Sequence, residues 1–234
     1  MGKRESGFTL IEIAIVLVII GLLLGGVLKG QELITGARVR NLIQQQDGVK
    51  AAYFGFLDRY RALPGDYASA ASTIAGSSNV AGDANGQIEA ENAASPKVSE
   101  GVLAWEHLSK AGFINGSYTY DAAGPTDASN PKNPYAGYMQ IVFDGVYGTG
   151  TAAAQLTGKR HNLKTGPQIP VEIVAELDRK VDDGAPYTGS FQFSTYDGKT
   201  GTSPTPGNCI DTTATPNAWN IKGANANCGG TSLY

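Results

Sequence analysis

The sequence predicts an α+β chain built on one long N-terminal helix. Three observations predict it. Residues 8–28 form a long apolar run, and that run passes into an amphipathic helical pattern lasting to about residue 62. Beyond it, two short segments alternate like strands and two others repeat at helical spacing.

The chain opens on a polar heptad, Met-Gly-Lys-Arg-Glu-Ser-Gly, that ends in Gly7. The apolar run that follows, Phe8 to Leu28, is 21 residues long. At about 1.5 Å per residue it spans about 30 Å, the hydrocarbon thickness of a bilayer. An ordinary secretory signal has a shorter apolar core and ends in a small-x-small cleavage site. The run therefore reads as a single membrane-crossing helix. One residue is out of place in it: Glu12, four residues beyond Phe8. A carboxylate inside a membrane segment costs about 2.5–3.5 kcal/mol on insertion scales, so it implies a partner.

The string Gly7-Phe8-Thr9-Leu10-Ile11-Glu12 resembles the processing motif of type IV prepilins and pilin-like proteins. The resemblance implies that a membrane-embedded prepilin peptidase cuts between Gly7 and Phe8 on the cytoplasmic side and N-methylates Phe8. Glu12 then stands at the glutamate position of the family. Phe8 and Glu12 are four apart and share a helix face, so the carboxylate is placed to offset the new amine, in its own subunit or a neighbour's. An intersubunit pair in a low-dielectric bundle would favour a fixed stagger between stems. Lys3 and Arg4 precede the span and Lys29, Arg38 and Arg40 follow it. That near balance leaves orientation to the resemblance rather than to charge.

Within the span, Gly21 and Gly25, and Gly26 and Gly30, form two G-x-x-x-G spacings. Small residues four apart let helices approach closely in lipid. Each glycine also lowers helix propensity by about 1 kcal/mol, so the stem can either pack closely or loosen locally here. Lys29 stands where many major pilins carry a proline.

Past the membrane, Val39, Leu42, Gln46, Val49, Tyr53, Phe56 and Tyr60 recur in steps of three and four, an apolar stripe interrupted by Gln46. The stop signal is Leu63-Pro64-Gly65-Asp66, because proline cannot continue the helix and glycine permits a turn. Asp58-Arg59-Tyr60 followed by Leu63-Pro64-Gly65-Asp66 is similar to a pattern that recurs in pilin-like proteins. The resulting organisation is a cleaved leader at 1–7, a transmembrane half-stem at 8–28, an amphipathic half-stem at 29–62 and an extracytoplasmic head at 63–234.

In the head, residues 64–98 are rich in Ala, Ser, Gly and Asn and read as a long loop. Ser99 is placed to cap a short helix that ends near Gly112, with Val102, Trp105 and Leu108 inward. Tyr138 to Asp144 and Ser190 to Ser194 alternate as strands. Between them Pro170 opens a helix with Val171, Val174, Leu177 and Val181 on one side, ending at Asp182-Asp183-Gly184. The last ~35 residues read as loop. The family resemblance implies that the long helix packs on an antiparallel sheet.

Cys209 and Cys228 are the two cysteines of the chain. An even count in an exported chain favours one disulfide; two free buried thiols are the alternative. Closing a loop of that size contributes about 3 kcal/mol in the chain-entropy model.

A net charge of −3 and a pI of about 5.4, with no lysine–arginine cluster, argue against nucleic acid as a partner. No nucleophile elbow, phosphate-binding glycine loop or zinc-protease motif occurs, so the expectation is a structural protein and not an enzyme. His107 reads as a partly exposed helix residue and His161 as a surface residue. One segment invites a metal. In Gly82-Asp83-Ala84-Asn85-Gly86-Gln87-Ile88-Glu89, oxygen donors at Asp83, Asn85, the Gln87 carbonyl and Glu89 or Glu91 resemble half of a calcium loop, without matching the full EF-hand pattern. An Asx-rich turn without an ion is the competing reading. Some pseudopilins hold calcium in their heads. Asp178, Asp182 and Asp183 read as a solvated helix end.

The function implied is a structural subunit of a type IV pilus or related filament, with minor pilin as the finer reading. A pseudopilin of type II secretion is the alternative, and an anchored periplasmic binding module an alternative of another class. The expected partners are other pilin subunits through the stem, prepilin peptidase, the assembly machinery and the membrane. The expected location is the inner membrane with the head in the periplasm, then a filament.

Overall fold

A computed structural model describes residues 9–91, 97–148, 158–199 and 201–234. Helix α1 runs unbroken from Leu10 to Tyr60. It continues as helix through Gly21, Gly25, Gly26 and Gly30. It ends four residues before Pro64, the proline expected to stop it. Arg61 adopts φ 53° and its N–H bonds the Leu57 carbonyl, the left-handed turn that closes many helices.

The chain forms two compact units, Met1–Arg38 and Val39–Tyr234. In the first, none of residues 10–38 is buried, and large apolar side chains such as Leu10, Leu17, Leu22 and Leu28 stand exposed. Helix α1 holds an 18-residue stretch with a mean hydropathy of 2.8 and is long and apolar enough to cross a membrane.

The second unit is an α+β domain. After α1 come α2 (Ala70–Thr73), α3 (Glu100–Lys110), β1 (Gln140–Asp144), β2 (Arg160–Lys164), α4 (Val171–Val181) and β3 (Phe191–Phe193). Then follow α5 (Pro206–Cys209), β4 (Ile210–Asp211), β5 (Ala218–Trp219) and β6 (Gly230–Leu233). The main sheet has the order β1-β2-β6-β3 with every pairing antiparallel; β4 and β5 make a separate ribbon. An ion pair at 2.6 Å between buried Lys164 and partly exposed Asp144 ties β1 to β2.

The stripe read from the sequence is the buried side of α1: Val39, Leu42, Gln46, Val49, Tyr53 and Phe56. It serves two cores. Val39 and Leu42 pack with Val174 and Leu177 of α4 and with Phe191 and Phe193. Val49, Tyr53 and Phe56 pack with Trp105, Leu108, Met139, Ile141 and Leu163. Gln46, which interrupts the stripe, bonds the Ser232 hydroxyl of β6.

Several expectations are corrected. The tail is not all loop: β6 lies inside the sheet, between β2 and β3. His107 is fully buried and stacks on Phe56 with ring centroids 6.1 Å apart. His161 is half-buried in β2, against Tyr53 and Phe143. Val181 is 42% exposed and sits outside the α4 core. Cys209 and Cys228 form the disulfide, joining the short α5 to the approach of β6.

Candidate functional site

Gly7 and Phe8 lie outside the described residues. Just beyond them, Thr9 and Glu12 close the first turn of α1. The Glu12 carboxylate accepts from the Thr9 N–H at 2.8 Å and from its hydroxyl at 2.7 Å, while the Glu12 N–H donates to Thr9 Oγ1 at 3.3 Å. This is a capping box, in which a Thr at the N-cap and a Glu three residues on satisfy each other's orphan donors. The sequence carries the T-x-x-E spacing, and that signal goes unused when Glu12 is read solely as a charge partner for the amine. Within the apolar stretch, a carboxylate that accepts two local bonds is less costly than a bare one.

The four span glycines are surface features of the first unit. A Cβ built on Gly21, Gly25, Gly26 or Gly30 meets nothing within 4 Å. Any close packing they provide is therefore packing against another chain.

The loop singled out for calcium is organised by carboxylates that the sequence reading did not include. Asp66, directly after the helix-stop proline and glycine, accepts from the backbone N–H groups of Asn85 and Gly86, both at 2.9 Å. Glu100, the first residue of α3, accepts from Asp83 N–H at 3.1 Å and Glu89 N–H at 3.0 Å. Both are buried, and their carboxylates lie with that of exposed Asp83 within 4.8 Å of one another. Burial pushes the Asp66 carboxyl above its ordinary range, and the neighbouring negative charge of Asp83 pushes it further.

Of the four predicted donors, only Asp83 joins this trio. The Asn85 side-chain oxygen is taken by Gln87 N–H at 2.8 Å, and its nitrogen donates to Asp83 and to Glu89. Asn85 and Glu89 thus brace the loop beside the trio. A trio of hard oxygen donors with like charges held together fits a hard cation such as calcium. Asp66 and Glu100 escape a local reading because they are 17 residues on either side of Asp83, one serving as a stop signal and the other as a helix start.

The second acidic group is not a solvated helix end. Asp178 is fully buried; its carboxylate accepts from Trp219 Nε1–H at 2.7 Å and from Gly184 N–H at 3.3 Å. Burial lifts its carboxyl to about 6, assisted by the charges of Asp183 and Asp182 and opposed by those two bonds. Asp182 accepts from Phe191 N–H and Asp183 from Ala185 N–H, in the strand and turn that follow. The arrangement ties α4 to β5 and to the turn before β3.

Neither histidine has the setting of a catalytic base. His107 accepts from Gly65 N–H at Nδ1, 2.9 Å away, so Nε2 carries the proton, and burial lowers the ring to about 4. It is a neutral core residue that pins the turn before Asp66. His161 is held below its ordinary value by burial among aromatic rings.

Residues 2–28 match the family model described as a prokaryotic N-terminal methylation motif. No curated protein and no solved structure matches the chain.

Proposed function

We propose that this type IV pilin-like prepilin is a structural subunit of a type IV pilus or a related filament, inserted in the inner membrane and assembled through α1 after cleavage between Gly7 and Phe8. The methylation motif implies processing by a prepilin peptidase and assembly with other pilin subunits. One observation carries the reading: the motif leads into a helix in which none of residues 10–38 is buried within the chain. An apolar surface of that size requires a bilayer first and then neighbouring stems. Lys29 in place of a proline and the large head favour a minor pilin over a major one; a type II secretion pseudopilin shares every feature used here. On this reading the head faces the periplasm before assembly, and the chain is structural rather than enzymatic.

A bulky residue at the cleavage site tests it. The Gly7→Leu chain, expressed with its peptidase, should accumulate in the membrane at precursor mass and enter no filament. Normal processing and assembly of Gly7→Leu would contradict the reading.

We propose secondarily that the Asp66–Asp83–Glu100 trio holds calcium, with Asn85, Gln87 and Glu89 as its supporting loop. The two buried carboxylates beside a third support this, because like charges in a low-dielectric site call for a proton or a cation.

A further inference from the structure

We infer that the turn after α3 carries a site of spontaneous covalent modification: Asn115 deamidates through the glycine that follows it, while the other Asn-Gly pair of the chain, Asn85-Gly86, is held against the same reaction. The two pairs are alike in sequence. All four residues are exposed, and both glycines stand at positive φ, 81° for Gly86 and 103° for Gly116. Exposure and backbone class therefore do not separate them. Their hydrogen bonds and their surrounding charges do.

The reaction requires the glycine nitrogen to reach the asparagine side chain. That nitrogen gives up its proton and attacks Cγ. A bond from Cγ to the glycine nitrogen forms, the Cγ–Nδ2 bond breaks, and Nδ2 leaves as ammonia. Water then opens the five-membered imide at either carbonyl. Opening at Cγ leaves aspartate; opening at the main-chain carbonyl leaves isoaspartate, with the chain routed through the side chain. Overall one water enters and one ammonia leaves, with nothing oxidised or reduced. Glycine suits the second position because it has no Cβ to crowd the approach. Two things oppose the step: hydrogen bonds that hold the reacting groups, and negative charge beside a nitrogen that must become anionic.

Asn85 has both. Gly86 N–H donates to Asp66 Oδ2 at 2.9 Å, so the proton of the nucleophile is tied to a buried carboxylate. Asn85 Nδ2 donates to Asp83 at 3.2 Å and to Glu89 at 3.0 Å, and its Oδ1 accepts from Gln87 N–H at 2.8 Å. The side chain is fixed at both ends, and three carboxyl groups contact the pair.

Asn115 has neither. Its side chain and the Gly116 N–H make no hydrogen bond among the described residues. The turn is anchored on either side, where Phe113 N–H donates to the Leu108 carbonyl at 2.9 Å and Tyr118 N–H to the Ser109 hydroxyl at 3.2 Å. A positive charge reaches this turn: Lys110 Nζ donates to the Ser117 hydroxyl at 3.2 Å. A cation favours both the anionic nitrogen and the carboxylate product. The turn lies wholly within Val39–Tyr234, so the inference does not depend on how the chain assembles.

The test uses the full chain in detergent, incubated in mildly alkaline buffer made with heavy-oxygen water. Peptide mass spectrometry follows both sites, with chromatography to resolve isoaspartate from aspartate. The expected result is heavy oxygen incorporated at residue 115, in both products, at a rate at least about tenfold above that at residue 85, a barrier difference of about 1.4 kcal/mol. In denaturant, where nothing holds either pair, the two rates should converge. Three results would overturn the inference: an Asn115 that keeps its amide, an Asn85 that converts as fast in the folded chain, or a rate ratio that persists unchanged in denaturant and so belongs to the sequence rather than to the fold.

Discussion

Thr9 and Glu12 bind each other three times across the first turn of α1, so the Glu12 carboxylate is already engaged within its own helix. Its two roles, capping the helix and pairing with a charge, make different demands on residue 12. A Gln at this position preserves a capping box but not the charge.

Glu12→Gln and Glu12→Val should therefore separate them. Both variants should be inserted and cleaved after Gly7. If charge pairing with the Phe8 amine drives assembly, both should fail to form filaments. Filament yield, measured by shearing and immunoblotting, that is restored in Glu12→Gln would assign the residue to helix capping alone.

The open surroundings of Gly25 yield a second expectation. A Cβ there meets nothing in the chain, so Gly25→Leu should leave folding, insertion and cleavage unchanged. It should nonetheless block filament formation if the G-x-x-x-G faces pack against neighbouring stems. Normal assembly of this variant would place those glycines away from stem contacts.

The carboxylate trio predicts a stability effect of calcium. Millimolar calcium should raise the melting temperature of the head at neutral pH, by mass action on the folded state. The effect should shrink as the solution is acidified, because the Asp66 carboxyl, raised by burial, takes up a proton in competition with the ion. Asp83→Asn, at an exposed position, should remove the calcium response while leaving the fold intact. A melting temperature insensitive to calcium would end the proposal.

Asp178 supplies a pH dependence of known sign. Its folded carboxyl is raised to about 6 while the unfolded one titrates near the ordinary value of 3.8. The folded state thus holds the proton more tightly. The stability this group contributes is fully present below about pH 4 and is lost as pH rises toward about 6. An asparagine in its place would keep an oxygen for the Trp219 N–H without the charge. Asp178→Asn should therefore gain stability relative to the unsubstituted chain as pH rises through that window, by on the order of 1–3 kcal/mol. Parallel denaturation curves at about pH 4 and about pH 7, on either side of the window, check it. An identical pH dependence in the two proteins would show that the carboxyl titrates at its ordinary value.

How much of this was legible depended on range. The apolar run, the α1 stripe and α4 were readable because helical periodicity is local, and Val39, Leu42, Val49, Tyr53 and Phe56 all turn inward as spaced. β2 was not readable: Arg160-His161-Asn162-Leu163-Lys164 is polar, and it becomes a strand because β1 and β6 flank it and Asp144 neutralises Lys164. β6 was hidden for a similar reason. Gly230-Thr231-Ser232-Leu233 has little strand propensity, and its place comes from pairing on both edges. On α3, amphipathic reasoning predicted an outer face, yet Glu100, Glu106 and His107 are all buried. Each binds backbone N–H groups of distant loop residues: Asp83 and Glu89, Ser78 and Tyr120, and Gly65 respectively. Such pairings carry no local signature, and the same is true of Asp66 meeting Asp83.

The most direct test of the central claim is the N-terminus of the assembled protein. Mass spectrometry of the N-terminal peptide from sheared filaments or the assembled membrane fraction should find the chain starting at Phe8 with one added methyl group and residues 1–7 absent. Assembled material that retains Met1 to Gly7, or that starts anywhere other than Phe8, would contradict the account.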